Sequence, residues 1–227
     1  MLISKKNSLK KDTEMSRYVI VDLEMCRVPK GTVREKYPAG CEMIEIGAVL
    51  LDDTYEIADR FKTYIRPEFG EIDSFIERLT GITKIDTLAA PSTREALEMF
   101  SDWLPDDAVL VSWSVSDENQ MRREMELKGI DLPDLEYFLD SWEDCQETFS
   151  EKMETTKSYS LSEALVIADI DFNENIHDGL VDAENTAMLF AKMKREPKLK
   201  LSSYYSTDEE NSSFTPFADL LKNFNFS

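Results

Sequence analysis

Asp22 and Glu24, which close the apolar run Arg17-Tyr18-Val19-Ile20-Val21-Asp22-Leu23-Glu24, are the first residues whose type and spacing could do chemistry. The run is short and rich in β-branched residues, which favours a buried strand over a helix. Side chains alternate along a strand, so Ile20, Asp22 and Glu24 share one face while Val19, Val21 and Leu23 share the other. Like charges held together beside a core are costly unless a cation neutralises them. Oxygen-only ligands suit a hard divalent ion, magnesium or manganese. The chain has 46 acidic residues, and Asp-x-Glu recurs at Asp134-Leu135-Glu136 and Asp182-Ala183-Glu184, so the pair needs independent partners to stand out.

Three residues offer themselves. Asp117 follows the run Ala108 to Trp113 and starts a helical segment, where a carboxylate is also an ordinary helix cap. Asp182 lies near the start of a segment whose apolar face includes Ala183, Ala187 and Phe190, and there too an exposed helical acid is the bland alternative. His177, the only histidine, precedes Asp182 by five residues in a glycine-containing approach. A lone histidine is more often structural than catalytic, but an imidazole of ordinary pKa, about 6.5, accepts a proton near neutrality.

The elements that would position these groups can be read from the pattern. Met43 to Leu51 and Arg60 to Arg66 read as a second and a third strand, joined through the turn Asp52-Asp53-Thr54 into an antiparallel meander. Pro91-Ser92-Thr93-Arg94-Glu95 carries a capping-box signature ahead of Leu97, Phe100 and Leu104, and Pro105 stops that helix. Ala108 to Trp113 is a further strand, Asp117 to Lys128 a helix closed by Gly129, and Ser160-Leu161-Ser162-Glu163 caps another. His177 to Lys194 is the last helix. Strands in a run followed by alternation with helices predict an α/β fold with a mixed sheet flanked by helices.

Length allows one full-sized domain plus a short tail, with residues 1–16 as an N-terminal extension, 17–195 as the domain and 196–227 as the tail. The tail is acidic and polar with an aromatic end, Phe214 to Phe226, that could dock on the body or on a protein partner. A formal charge of −20 argues against bulk electrostatic capture of duplex nucleic acid, so a polyanionic substrate would have to be held locally, by bound cations. Cys26, Cys41 and Cys145 are odd in number and without a Cys-x-x-Cys pair, which suggests free thiols. With no apolar run long enough for a membrane span, the expectation is a soluble, cytoplasmic protein.

The blocks Val21-Asp22-Leu23-Glu24, Ile44-Glu45-Ile46-Gly47-Ala48, Leu79-Thr80-Gly81-Ile82-Thr83, Trp113 to Asp117 and His177 to Ala183, in this order, resemble the DEDDh exonucleases. That group includes ribonuclease T, oligoribonuclease and the proofreading subunit of bacterial replicative polymerase. The Cys26 and Pro29 region resembles the members that trim small RNAs, histone messages and ribosomal RNA ends. Ser112-Trp113-Ser114 before Asp117, and Gly179 where alanine is frequent, depart from the commonest pattern without removing a candidate ligand.

The resemblance implies a ribonuclease H-like mixed five-stranded sheet and a 3′→5′ exonuclease releasing 5′-mononucleotides from single-stranded 3′ ends, RNA ahead of DNA. It implies two divalent cations, with Asp22, Glu24 and Asp182 on the first, Asp22 bridging to the second, Asp117 reaching its metal through water, and His177 as general base. The backbone at Met25 and Cys26 should meet the terminal nucleotide, with Leu79 and Ile82 near its base, although all four could be ordinary apolar packing. The competing expectations are a DNA-directed enzyme of repair or proofreading and a catalytically silent module that binds a protein partner.

Overall fold

In chain order the elements are β1 (Arg17–Arg27), α1 (Thr32–Lys36), β2 (Cys41–Leu51), β3 (Ile57–Tyr64), α2 (Ser74–Thr80), α3 (Lys84–Leu88), α4 (Thr93–Trp103), β4 (Ala108–Ser112), α5 (Ser116–Lys128), α6 (Pro133–Leu139), β5 (Glu143–Asp144), α7 (Cys145–Lys152), α8 (Leu161–Ile167) and α9 (Gly179–Arg195). This computed structural model describes residues 17–173 and 177–202. The N-terminal extension and the aromatic end of the tail lie outside the described residues. Residues 196–202 run along the body, where Leu199 is buried and the Ser202 amide donates to the Ile167 carbonyl at 2.8 Å.

The five strands form one sheet in the order β3-β2-β1-β4-β5. β1 is central, antiparallel to β2 and parallel to β4, and β3 extends the antiparallel side. The mixed α/β sheet expected from the sequence is therefore present. Alternation along β1 divides the core. Val19, Val21 and Leu23 pack with Phe100, Met121 and Leu135 of α4, α5 and α6 on one face, and Ile20 packs with Phe149, Leu165 and Phe190 of α7, α8 and α9 on the other. Asp22 and Glu24 continue the Ile20 side, toward α9.

Two joints fix the helices that carry site residues. The α5 face Asp117, Gln120, Glu124 repeats at three- and four-residue spacing and is buried. At its far end Glu124 accepts the Met43 amide of β2, and the Lys128 ammonium lies 2.6 Å from Glu42 and 2.9 Å from Glu124. Both carboxylates and the ammonium are withdrawn from solvent, so removing one partner would leave an uncompensated buried charge. α9 begins against β2 itself, where a Cβ on Gly47 would come within 2.2 Å of Gly179 C and Leu180 N. Only a residue without a side chain admits that approach. No described helix is long and apolar enough to cross a membrane.

Candidate active site

β4 pairs with β1 only from Arg17 to Ile20, so past the carboxyl end of β4 that edge of β1 is free, while its other edge stays paired with β2 as far as Arg27. Crevices of this kind, where neighbouring strands of an open sheet diverge, are the usual ligand sites of α/β folds. Asp22 and Glu24 occupy this free stretch. The Leu23 amide, left without a β4 partner, donates instead to Asp117 Oδ1 at 3.1 Å. Asp117 is the second residue of α5, whose N-cap is Val115 with no side-chain cap bond, so its carboxylate is aimed across at β1.

Asp182 arrives from α9. Its Oδ2 accepts the His177 amide at 2.8 Å, while its Oδ1 is buried without a partner. His177 has φ 67°, a left-handed conformation uncommon for a residue with a side chain, costing on the order of 1–3 kcal/mol. The surrounding bonds hold it there. Asp178 caps α9 by accepting the Leu180 and Val181 amides at 3.1 and 3.2 Å, and one oxygen of Glu24, one of Asp182 and one imidazole nitrogen of His177 all lie within 4.8 Å of one another.

The electrostatics follow from this crowding. Loss of solvation, then the Asp117, Asp182 and Glu24 charges, pushes Asp22 well above the usual carboxylate range. Burial, then Asp182 and Glu45, lifts Glu24 to about 8. Burial raises Asp117 to about 6 against the opposing hydrogen bond from Leu23, and raises Asp182 against that from His177.

Glu45, which the sequence reading did not single out, is a fifth acid. It stands directly across from Glu24 in the antiparallel register and is fully buried. Lys62 of β3 spans it and the α9 cap, with Nζ 3.2 Å from Glu45 Oε1 and 2.8 Å from Asp178 Oδ2. The cue was the Glu in Ile44-Glu45-Ile46, an acid inside an otherwise apolar strand.

The residues expected near the substrate divide by exposure. Cys26 and Ile82 are buried in a small cluster with Ile44, Ile72 and Ile76, Met25 is partly buried, and Leu79 on α2 is 37% exposed. Phe75, four residues earlier on the same helix and 44% exposed, was not anticipated, although its spacing from Leu79 puts both on one helical face.

An acid cluster with raised proton affinities, an orphaned buried oxygen at Asp182 and an oxygen-rich donor set fits hard divalent cations. Glu24 and Asp182, which gather with His177, could hold a cation, and Asp22 and Asp117 adjoin them through the mutual repulsion of their charges. The sequence model of the exonuclease family of RNase T type matches residues 19–190, most of the chain. The chain belongs to that exonuclease family. It is similar to ERI1 exoribonuclease 2 of Danio rerio, 31% identical over 70% of this chain and 32% of the relative. Its likeness to DNA polymerase III subunit epsilon of Aquifex aeolicus is 28% identity over 83% of this chain and 87% of that protein. The chain thus spans about a third of the ERI1 relative and most of the polymerase subunit.

Solved structures share the exonuclease fold. A full-length 3′-exonuclease superposes with a TM-score of 0.70 at 23% identity, covering 83% of this chain and 86% of that one. The nuclease domain of 3′hExo, described as a DEDDh family member bound to rAMP, gives 0.65 at 24% identity, covering 85% and 98%.

Proposed function

We propose that the protein is a 3′→5′ exonuclease that removes 5′-mononucleotides from single-stranded nucleic acid, RNA in preference to DNA. The observation that carries the reading is the meeting of Glu24, Asp182 and the His177 imidazole within 4.8 Å, with Asp22 and Asp117 electrostatically coupled to the same cluster. Asp22, Glu24, Asp117 and Asp182 would hold two magnesium or manganese ions, which when bound supply Lewis acidity to the phosphate and offset the negative charge that develops in phosphodiester hydrolysis.

The chain's own residues account for the rest. His177 accepts a proton from the attacking water as its oxygen bonds to phosphorus. The bond from phosphorus to the 3′ oxygen of the penultimate nucleotide breaks, and that oxygen takes a proton from solvent. The products are a 5′-mononucleotide and a strand one residue shorter with a free 3′ hydroxyl. The bond from the His177 amide to Asp182 fixes the backbone from which the imidazole reaches the cluster. Phe75 and Leu79 offer an exposed apolar face of α2 on which a terminal base can stack.

The RNA preference rests on the ERI1 exoribonuclease relatives and on a structural neighbour, a 3′-exonuclease that recognises the 3′ end of a histone mRNA stem-loop. Likeness to a DNA polymerase subunit supports the DNA-directed alternative. Matched RNA and DNA single strands labelled at the 5′ end, incubated with magnesium or manganese, decide between them. Faster stepwise shortening of RNA is the expected result. Faster shortening of DNA reverses the substrate order, and no shortening of either with any divalent ion removes the enzymatic reading.

A further inference from the structure

We propose that Arg27, Lys30 and Arg34 form a phosphate-binding groove that holds the backbone of the nucleic-acid strand upstream of its 3′ end. The proposal takes the class of ligand from the exonuclease reading, but the groove itself is read from geometry and charge. Arg27 ends β1 three residues beyond Glu24, about 10 Å along the strand at about 3.3 Å per residue. Beside it lies a cavity of about 450 Å³ lined in part by these three cations.

None of the three takes part in an ion pair among the described residues. Arg27 and Lys30 are exposed, and Arg34 Nε is buried with no hydrogen-bond partner. A guanidinium nitrogen withdrawn from water and left unpaired is costly, so turning it toward an anion in the cavity would relieve that cost. Gly40 leaves room for that side chain, because a Cβ there would stand 3.1 Å from Arg34 Nη2.

The two acids on the same wall do not cancel the effect. Asp73 is committed to α2, its Oδ1 accepting the Phe75 and Ile76 amides at 2.9 and 3.0 Å. Glu71 is exposed and is tied to Arg27 through its backbone, its amide donating to the Arg27 carbonyl at 2.9 Å. Three cations against two carboxylates make a local reversal of sign in a chain whose formal charge is −20. That reversal matters, because cations at the catalytic acids neutralise only the scissile phosphate, and each upstream phosphate meets a repulsive field unless a basic group receives it.

Arg27 also joins the groove to the base-stacking face. Its guanidinium lies 4.3 Å from the centre of the exposed Phe75 ring. A stacked guanidinium keeps its N–H edge free for the two-point hydrogen bonding that phosphate favours. A strand whose last base rests on Phe75 and Leu79 would therefore lead its preceding phosphates past Arg27 toward Lys30 and Arg34.

The test is binding of a 5′-fluorescein octaribonucleotide by the full chain carrying His177→Ala, with magnesium present, followed by anisotropy across a salt series. Adding Arg27→Gln, Lys30→Gln and Arg34→Gln should weaken binding tenfold or more. It should also flatten the log–log salt dependence by about 2, at about 0.7 per lost phosphate contact. A second variant with only the exposed pair, Arg27→Gln and Lys30→Gln, keeps the test informative if Arg34 is needed for folding, and should lower the slope by about 1.4. Unchanged affinity and slope in the folded exposed-pair variant would overturn the groove, as would failure of the His177→Ala parent to bind the octamer.

With His177 intact, hydrolysis of the p-nitrophenyl ester of thymidine 5′-monophosphate, which has no upstream phosphate, should fall far less than octamer binding in the Lys30→Gln, Arg34→Gln variant, and an equal fall in both would overturn the groove. If the wild-type chain cleaves neither substrate yet the groove substitutions still weaken binding, the catalytic reading fails and the groove stands.

Discussion

Gly47 and Gly179 meet backbone to backbone, so the first turn of α9 rests on β2 with no side chain between them. The contact sets the height of α9 above the sheet, and with it the distance of Asp182 and His177 from Glu24. Gly47→Ala would place a Cβ 2.2 Å from main-chain atoms that cannot rotate away. The expected outcome is a loss of stability of about 3 kcal/mol, the upper end of ordinary overpacking, with activity falling more than in a surface control. Gly179→Ala meets the Glu45 Oε1 side-chain oxygen at 2.8 Å and the Asp22 carbonyl at 3.2 Å, the nearer of which can swing aside, so its loss should be smaller. Thermal unfolding of both variants checks the order, and equal effects would show that the approach does not set the helix.

His177→Ala should lower kcat by about 10²- to 10⁴-fold, the range of a positioned proton acceptor, with divalent-cation affinity nearly unchanged. The imidazole lies close enough to the Glu24 and Asp182 oxygens to ligate as well as to move a proton, so the two parameters must be measured together. Titration calorimetry with manganese separates them. A matching fall in affinity would make His177 a ligand.

Metal removal should expose a pH dependence of known sign. Glu24 binds its proton up to about pH 8 in the fold, whereas its ordinary value is 4.5, so the folded chain holds a proton that the unfolded chain releases. Stability from this group is complete below 4.5 and lost as pH rises through about 8. In EDTA, Glu24→Gln should therefore match the wild type below pH 4.5 and exceed it above pH 8, by an amount on the order of a few kcal/mol. Magnesium should stabilise the wild type increasingly with pH and the variant much less. Denaturant midpoints across the range check this, and a difference that does not change with pH would show that Glu24 is not held in a raised state.

Lys62→Met should loosen the approach of α9 through two bonds at once. It removes the counter-charge of the fully buried Glu45 and one partner of the Asp178 cap. A wholly buried pair broken on one side costs about 3–5 kcal/mol, and Lys62 keeps 28% of its side chain exposed, so about 2 kcal/mol is expected. The double variant Lys62→Met, Glu45→Gln should recover part of that loss in chemical denaturation. Additive losses would mean that the two residues do not interact.

The legible part of this architecture was local. Alternation in Val19 to Glu24 put Asp22 and Glu24 on one side of a strand, and the capping boxes at Ser92 and Ser160 marked the starts of α4 and α8. Gly129, with φ 59°, ends α5 as its position suggested. What stayed hidden depends on register or on elements too short to show a period. Glu45 faces Glu24 only because β1 and β2 pair with that offset, and Lys62 joins them from an edge strand that ends at Tyr64, short of Arg66. The five-residue α1 and α3 and the two-residue β5 carry less than two turns or one alternation of pattern. The positive φ of His177 is signalled only weakly by its residue type, since histidine is enriched in that region but adopts it uncommonly.

Asp117 allows its structural and electrostatic roles to be separated. Its Oδ1 serves the fold by accepting the Leu23 amide where β4 has left β1, while the same carboxylate adds negative charge to the cluster around Asp22. Asp117→Asn keeps an acceptor oxygen for Leu23 but removes the charge. Asp117→Ala removes both, leaving a buried amide unpaired at a cost of about 1–3 kcal/mol. Both variants should lose at least about 10²-fold in kcat, an order of magnitude for one electrostatic group at a phosphoryl site, whereas only alanine should lower the unfolding midpoint. Hydrogen exchange at the Leu23 amide makes the distinction directly: protection should persist in Asp117→Asn and collapse in Asp117→Ala. If asparagine preserved both exchange protection and activity, the charge of Asp117 would have no part in the chemistry, and the catalytic set would reduce to Asp22, Glu24, His177 and Asp182.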